Sequence, residues 1–321
     1  MRSWKPYLYE VFPKTREFCA HGRQIQLNKG YPIILTSYIG WGLFPIYWSL
    51  LGHVPPLEIL LHRMLWAVPV LILLVALSTR RKTQLIAAFH SWPEMRLLTA
   101  SSVVICINWG IYIWAVSNQR VIEASMGYFL TPFLNIIVGL LIFKEKLDPL
   151  KIAAIGCAVA GVFYYILKAG IFPWVGLSLG FSFAAYGLFR KKMETNAVPG
   201  LLIETLILLP FTTALILWLH GKGIAMFLND SLTTDLLLII AGPITVIPLA
   251  LFTMGARMLP MTSVGILFYV TPTLQFLCGI LVFEEAFNQD KLIGFAAIWI
   301  GLLFFTYSLL SNQTKSASEV T

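Results

Sequence analysis

Ten apolar runs, each close to the ~20 residues that a helix needs to cross a bilayer, follow one another along this chain and leave little between them. They fall near 31–51, 59–77, 97–117, 123–143, 150–168, 172–190, 199–219, 234–255, 262–283 and 290–310. Lipid offers no partner to a backbone N–H or C=O, so such runs must satisfy their own backbones as helices. Most joining stretches are too short to hold an extramembrane domain. Only 12% of the residues are charged and 58% are hydrophobic, where a soluble domain carries about 25% charge. The expected fold class is an all-α membrane protein with ten transmembrane helices.

The net charge of +8 could suggest a nucleic-acid partner, but its distribution argues otherwise. If residue 1 starts in the cytoplasm, 18 of the 23 Lys and Arg fall on inner segments and 4 on outer loops, with Arg63 inside a span. The positive-inside rule then puts both termini in the cytoplasm. Residues 1–30 contain basic residues but no apolar core, so they are expected to form a cytoplasmic tail rather than a cleaved signal peptide. Residues 311–321 form the C-terminal tail. Cys19, Cys106, Cys157 and Cys278 are scattered, without a C-x-x-C pair or a His cluster. No metal and no cofactor are expected.

One segment is written twice. Phe129–Glu145 aligned on Tyr269–Glu285 gives seven identities in 17 positions, including Thr131/Thr271, Pro132/Pro272 and Gly139/Gly279, with Asn135/Gln275 as an amide match. "SYIGWGLF" (Ser37–Phe44) likewise parallels "SFAAYGLF" (Ser182–Phe189), and "LLHRMLWAVP" (Leu60–Pro69) more weakly parallels "LLIETLILLP" (Leu201–Pro210). Three matches in one order imply two five-span repeats, 31–168 and 172–310. Five is odd, so the second repeat enters the membrane from the side opposite to the first. Inverted repeats of this kind build secondary transporters, with the substrate near the midplane between the halves. Pro132 and Pro272 each remove a backbone donor and free the carbonyl four residues back, at Tyr128 and Phe268. They are candidate helix-break hinges, with Asn135 and Gln275 as amides one turn beyond. A static kink is the competing reading.

Ionisable residues inside spans are functional candidates by default. Glu58 opens span 2 at the outer interface, and His62 and Arg63 lie deeper on the same helix. Arg63 either pairs structurally with Glu58 or holds an anionic group in an outward-opening cavity, with His62 or Glu58 taking a proton. Glu204 in span 7 has no neutralising neighbour on its own helix. It must find a partner across helices, face water or carry a proton. Asn108, Trp109 and Tyr112 in span 3, Tyr128 in span 4 and Tyr186 in span 6 complete a candidate substrate cavity with Arg63, His62, Asn135 and Gln275. Arg190-Lys191-Lys192, Lys144-Glu145-Lys146 and Glu284-Glu285 close span ends and read as anchors. The small-residue run Gly156–Gly161 offers a close-packing face within a subunit or in a homodimer. H-E-x-x-H and P-loop signatures are missing, and no enzyme activity is expected.

Ten spans in two inverted halves resemble the EamA-type transporters of the drug/metabolite transporter superfamily. "HR" (His62-Arg63), "NW" (Asn108-Trp109), "EASMGYFLTP" (Glu123–Pro132), "YGLFRKK" (Tyr186–Lys192), "IETLILLP" (Ile203–Pro210) and "YVTPTLQF" (Tyr269–Phe276) are similar to the RarD branch of bacterial inner-membrane proteins. Thr131 departs from that pattern, which has Asn before the proline. The resemblance covers about residues 30–310. It implies a secondary permease or exporter of small organic molecules, multi-pass in the inner membrane, whose partners are a small-molecule substrate and the bilayer. The alternative is a membrane-embedded enzyme or lipid-handling protein without transport activity.

Overall fold

The computed structural model describes residues 29–143, 149–169, 172–256, 258–259, 264 and 267–318. Most of the N-terminal tail and the Lys144-Glu145-Lys146 anchor lie outside the described residues. So do several side chains within helices, Pro132, Asn135 and Lys191 among them. The described residues are helical with short turns and no strand. Residues 29–42 form α1, followed by α2 (Phe44–Ser49), α3 (Pro56–Ala76), α4 (Thr79–Phe89), α5 (Trp92–Ser117) and α6 (Val121–Phe143). Then come α7 (Pro149–Ala169), α8 (Trp174–Lys192), α9 (Ala197–Gly221), α10 (Leu232–Ala256), α11 (Val270–Leu281) and α12 (Gln289–Ser318). Six of these, α3, α5, α7, α9, α10 and α12, contain stretches long and apolar enough to cross a membrane.

One helix per apolar run fails in three places, each with a physical reason. The first run is split at Leu43, because Pro45 enters at the start of α2 and cannot donate to the carbonyl of Trp41. Thr79–Phe89 forms an additional helix between the second and third runs. It carries Arg80, Arg81 and Lys82 near one end and exposes Ile86 and Phe89, the composition of a helix lying along an interface. Arg81 Nη1 donates to the Leu74 carbonyl at 2.8 Å, satisfying an acceptor left open in the last turn of α3. The ninth run holds a turn at Phe268–Tyr269, and α11 starts only at Val270. At the other end, α12 runs past the apolar stretch as far as Ser318.

The largest helix contacts are α7 with α12, α6 with α8, α10 with α3, α5 with α8, α9 with α3, and α11 with α6. Every one joins a helix before residue 170 to a helix after residue 172. Several of these crossings need glycine. A Cβ on Gly127 of α6 would lie 2.3 Å from the Gly176 carbonyl oxygen of α8, and one on Gly242 of α10 would lie 2.2 Å from the Trp66 carbonyl carbon of α3. Backbones approach so closely only where no side chain intervenes. Gly161 meets α12 in the same way, at the Gly294 carbonyl, whereas Gly156 faces open space. Part of the small-residue run in α7 is therefore used inside the chain.

Large side chains such as Phe211 (70% exposed) and Leu303 (69% exposed) cover the outside of the bundle, so hydrocarbon is the medium that suits this surface. An apolar groove of about 270 Å³ runs between α1–α2 and α10, lined by Leu43, Phe44, Tyr47, Ile244 and Pro248.

Candidate substrate site

Arg63 lies on α3 beneath two indole rings. Its guanidinium carbon is 4.1 Å from the Trp109 ring centre on α5 and 5.2 Å from that of Trp48 on α2. The residue is 4% exposed. Neither Nε nor Nη1 has a hydrogen-bond partner among the described residues, and the same holds for Trp48 Nε1 and the Tyr112 hydroxyl. The titratable groups acting on Arg63 are Tyr128, Tyr112 and Cys106, none of them a carboxylate. Cation–π contact is worth about 0.5–2 kcal/mol, whereas an uncompensated buried charge costs about 3–5 kcal/mol. The rings do not balance the charge by themselves.

Glu204 of α9 is 1% exposed and finds its partners across helices. Ser101 Oγ on α5 donates at 2.5 Å, the Tyr186 hydroxyl on α8 at 3.3 Å and Arg190 Nη1 at 3.5 Å. Arg190, expected to be a span-end anchor, is instead turned inward over Gly200. A Cβ at Gly200 would be 2.1 Å from its Nη1. Aligning Leu60–Pro69 on Leu201–Pro210 puts Arg63 and Glu204 at corresponding positions.

A ladder of rings runs between these two charges. Trp109 and Tyr112 share a face of α5. Tyr112 meets Tyr128 edge-on at 5.9 Å, Tyr128 meets Phe183 at 5.8 Å, and Phe183 meets Tyr186 at 6.4 Å. Phe183 also stacks on Phe268 at 6.2 Å and 12°, and Phe268 meets Tyr38 at 5.6 Å. The structure thus brings Arg63, Trp109, Tyr112, Tyr128, Tyr186 and Glu204 into one connected set. Trp48, Phe183, Phe268, Ser101 and Arg190 belong with them, although sequence reasoning did not place them there. Phe183 and Ser101 had no sequence mark distinguishing them from other span residues.

Other expected residues stand apart from this ladder. His62 Nδ1 accepts from Trp66 Nε1 at 3.1 Å, and the ring packs on Phe227 at 4.4 Å. Asn108 is spent on α8, donating to the Leu179 carbonyl at 3.1 Å and to Ser182 Oγ at 2.9 Å. Gln275 Nε2 donates at 3.2 Å to the Trp41 carbonyl, the acceptor that Pro45 leaves free, while its Oε1 has no partner among the described residues.

The two proline segments differ in form. The helix continues through Pro132 in α6, and Thr131 Oγ1 bonds back to the Gly127 carbonyl at 3.1 Å. Pro272 instead lies in the first turn of α11, where a missing N–H leaves no intrahelical bond unmade. The Phe268 carbonyl is taken by Thr271 N–H at 3.0 Å, and Thr271 Oγ1 crosses to the Tyr38 carbonyl at 3.0 Å. The side chains of Pro132 and Asn135 lie outside those described.

Four glutamates near helix ends hold backbone N–H groups of distant segments. Glu58 accepts from Met226 and Phe227 at 2.9–3.0 Å and Glu94 from Thr195 at 2.9 Å. Glu123 accepts from Val175 at 3.0 Å, and Glu285 from Val121 at 2.5 Å and Ile122 at 3.0 Å. Val175, Val121 and Ile122 open α8 and α6, where N–H groups lack intrahelical acceptors and the helix dipole is positive, whereas Met226, Phe227 and Thr195 lie in turns between helices. Glu123 also pairs with Arg120 at 3.3 Å. Burial raises the Glu285 carboxyl above the ordinary range, against the pull of its two N–H bonds. The Glu58 carboxylate therefore serves the 226–227 turn rather than Arg63.

Residues 28–167 match the EamA-like transporter family. The chain is 37% identical to the "Uncharacterized transporter YojE" of Bacillus subtilis, over 92% of this chain and 99% of that protein. It is 34% identical to "Protein RarD" of Escherichia coli (91% and 98%) and 32% identical to "Chloramphenicol-sensitive protein RarD" of Pseudomonas aeruginosa (90% and 98%). A solved crystal structure, 18% identical, superposes with a TM-score of 0.53 over 88% of this chain and 98% of that one, a likeness of fold alone. With full-length relatives at this identity, the chain belongs to the EamA-like transporter family, in its RarD branch.

Proposed function

We propose that this protein is a secondary transporter of small organic molecules in the bacterial inner membrane, working by alternating access between two inverted five-span halves, 31–168 and 172–310. One observation carries the reading. A buried cation without a counter-ion among the described residues and a buried carboxylate align at corresponding positions of the two sequence repeats, and a run of aromatic contacts from Tyr112 to Tyr186 lies between them along the seam where the largest helix contacts lie. Further support comes from the unequal proline segments, one continuous and one broken. Two copies of a motif held in different conformations are what a carrier closed more tightly on one side than the other requires.

In this reading Arg63, Trp109, Tyr112, Tyr128 and Tyr186 line the substrate path. Asn108, Gln275 and His62 brace the helices around it, and Pro132 and Pro272 act as hinges. Glu204 is the better placed of the two proton-coupling candidates. Its partners are side chains that can move apart, whereas Glu58 is fixed to two backbone N–H groups.

The test is a thermal-shift screen of metabolites and drugs on the purified protein, followed by proteoliposome flux of each hit with and without a pH gradient. Saturable flux is expected, with the pH-driven part lost in Glu204→Gln. Flux that is absent for every stabilising compound would end the transport reading, and unchanged pH dependence in both Glu204→Gln and Glu58→Gln would remove proton coupling.

A further inference from the structure

We propose that the Trp48–Trp109 cage around Arg63 receives the carboxylate of a monoanionic organic substrate with an aromatic or apolar body. This rests on the transport reading, because a side chain so buried meets a solute only when the helices around it part. The unpaired groups in the cage have one chemistry in common. Arg63 Nε and Nη1 and Trp48 Nε1 can only donate hydrogen bonds, and the Tyr112 hydroxyl can donate as well. Their complement is a group that only accepts. Among the described residues the site also has a surplus of one positive charge, since no carboxylate there acts on Arg63 and those of Glu58, Glu123, Glu204 and Glu285 are held elsewhere.

A carboxylate meets both demands. It presents two coplanar oxygens to the guanidinium fork and brings a single negative charge. A phosphate monoester, at roughly −1.5 to −2 near neutral pH, would replace a surplus positive charge with a surplus negative one. A cation would add to the surplus. The walls of Trp48, Trp109, Tyr112 and Tyr128 suit a flat or apolar body, and the ladder toward Phe183 continues that lining.

The probes are 3-phenylpropanoate, its amide, phenylethyl phosphate and phenylethylammonium, titrated calorimetrically against the protein in lipid nanodiscs. The acid should bind about 30-fold more tightly than the amide, and Arg63→Met should remove that preference. Equal affinity for acid and amide, preference for the phosphate or the ammonium, or absence of saturable carboxylate binding would each overturn the proposal. The acid–amide comparison on the unaltered protein decides the matter should Arg63→Met fail to fold. Proteoliposome flux separates this inference from the one beneath it. Saturable flux of a neutral or cationic solute that Arg63→Met leaves intact keeps the transporter and discards the carboxylate receptor. Selective carboxylate binding without flux of any bound compound keeps the receptor and discards the transporter.

Discussion

Removing Ser101 should cost more through Glu204 than removing Arg190, although only Arg190 is charged. Ser101 is fully buried and its hydroxyl lies 2.5 Å from the carboxylate. Arg190 reaches the same oxygen at 3.5 Å, with 15% of its side chain exposed. Hydrogen bonds to a charged acceptor contribute about 1.5–3 kcal/mol in water-soluble folds. Within membranes, measured couplings average about 0.6 kcal/mol and reach about 1.7, because the unfolded state in lipid also finds partners. A short, fully buried bond to a carboxylate belongs near the top of that range, so the Ser101–Glu204 coupling should be about 1.5 kcal/mol. A longer, partly solvated contact belongs near the middle, which gives Arg190–Glu204 about 0.5 kcal/mol. Equilibrium unfolding in mixed detergent micelles of Ser101→Ala, Arg190→Met, Glu204→Gln and the two double variants would supply both cycles. A Ser101–Glu204 coupling near zero, or one smaller than that of Arg190, would refute the view that the carboxylate is held chiefly from α5.

Gly127→Ala should lower stability by about 1–3 kcal/mol, because its new methyl would collide with the Gly176 carbonyl. Gly156→Ala, which meets nothing, should stay within about 0.5 kcal/mol of the parent in the same unfolding assay. Gln275→Leu leaves the Trp41 carbonyl without its donor and should cost about 1–3 kcal/mol. Glu285 has its proton affinity raised in the fold. Its contribution to stability is therefore fully present below the ordinary carboxylate value of 4.5 and lost as pH rises through the raised native value. Unfolding followed between pH 7 and pH 4.5 should show this gain on acidification, and Glu285→Gln should flatten it.

The membrane class, the helical content and most helix positions were legible because they follow from run length and from the lack of backbone partners in lipid. Breaks within runs were harder to read. Pro272 was visible, but only the packed bundle shows the turn at Phe268–Tyr269 closing over it while α6 stays helical through Pro132. The glutamates were least legible. Glu58 and Glu285 look like interfacial charges, yet their partners are N–H groups more than 160 residues away in sequence. Arg190 is similar: three consecutive basic residues at a helix end suggest an anchor, and only the absence of a side chain at Gly200 lets one of them turn inward. Trp48 sits where an interfacial aromatic is expected, so nothing local marked it as half of the Arg63 cage.

Distances across the two ends of the bundle test alternating access most directly. Spin labels at His53 and Leu228 report on one end, and labels at Lys82 and Lys192 on the other, all four positions being exposed, in a background lacking the four native cysteines. Pulsed electron-spin measurements in nanodiscs, with and without a stabilising compound, should give two distance populations for each pair, one end widening as the other narrows. A single unchanging distance at both ends, or two ends that open together, would contradict the account.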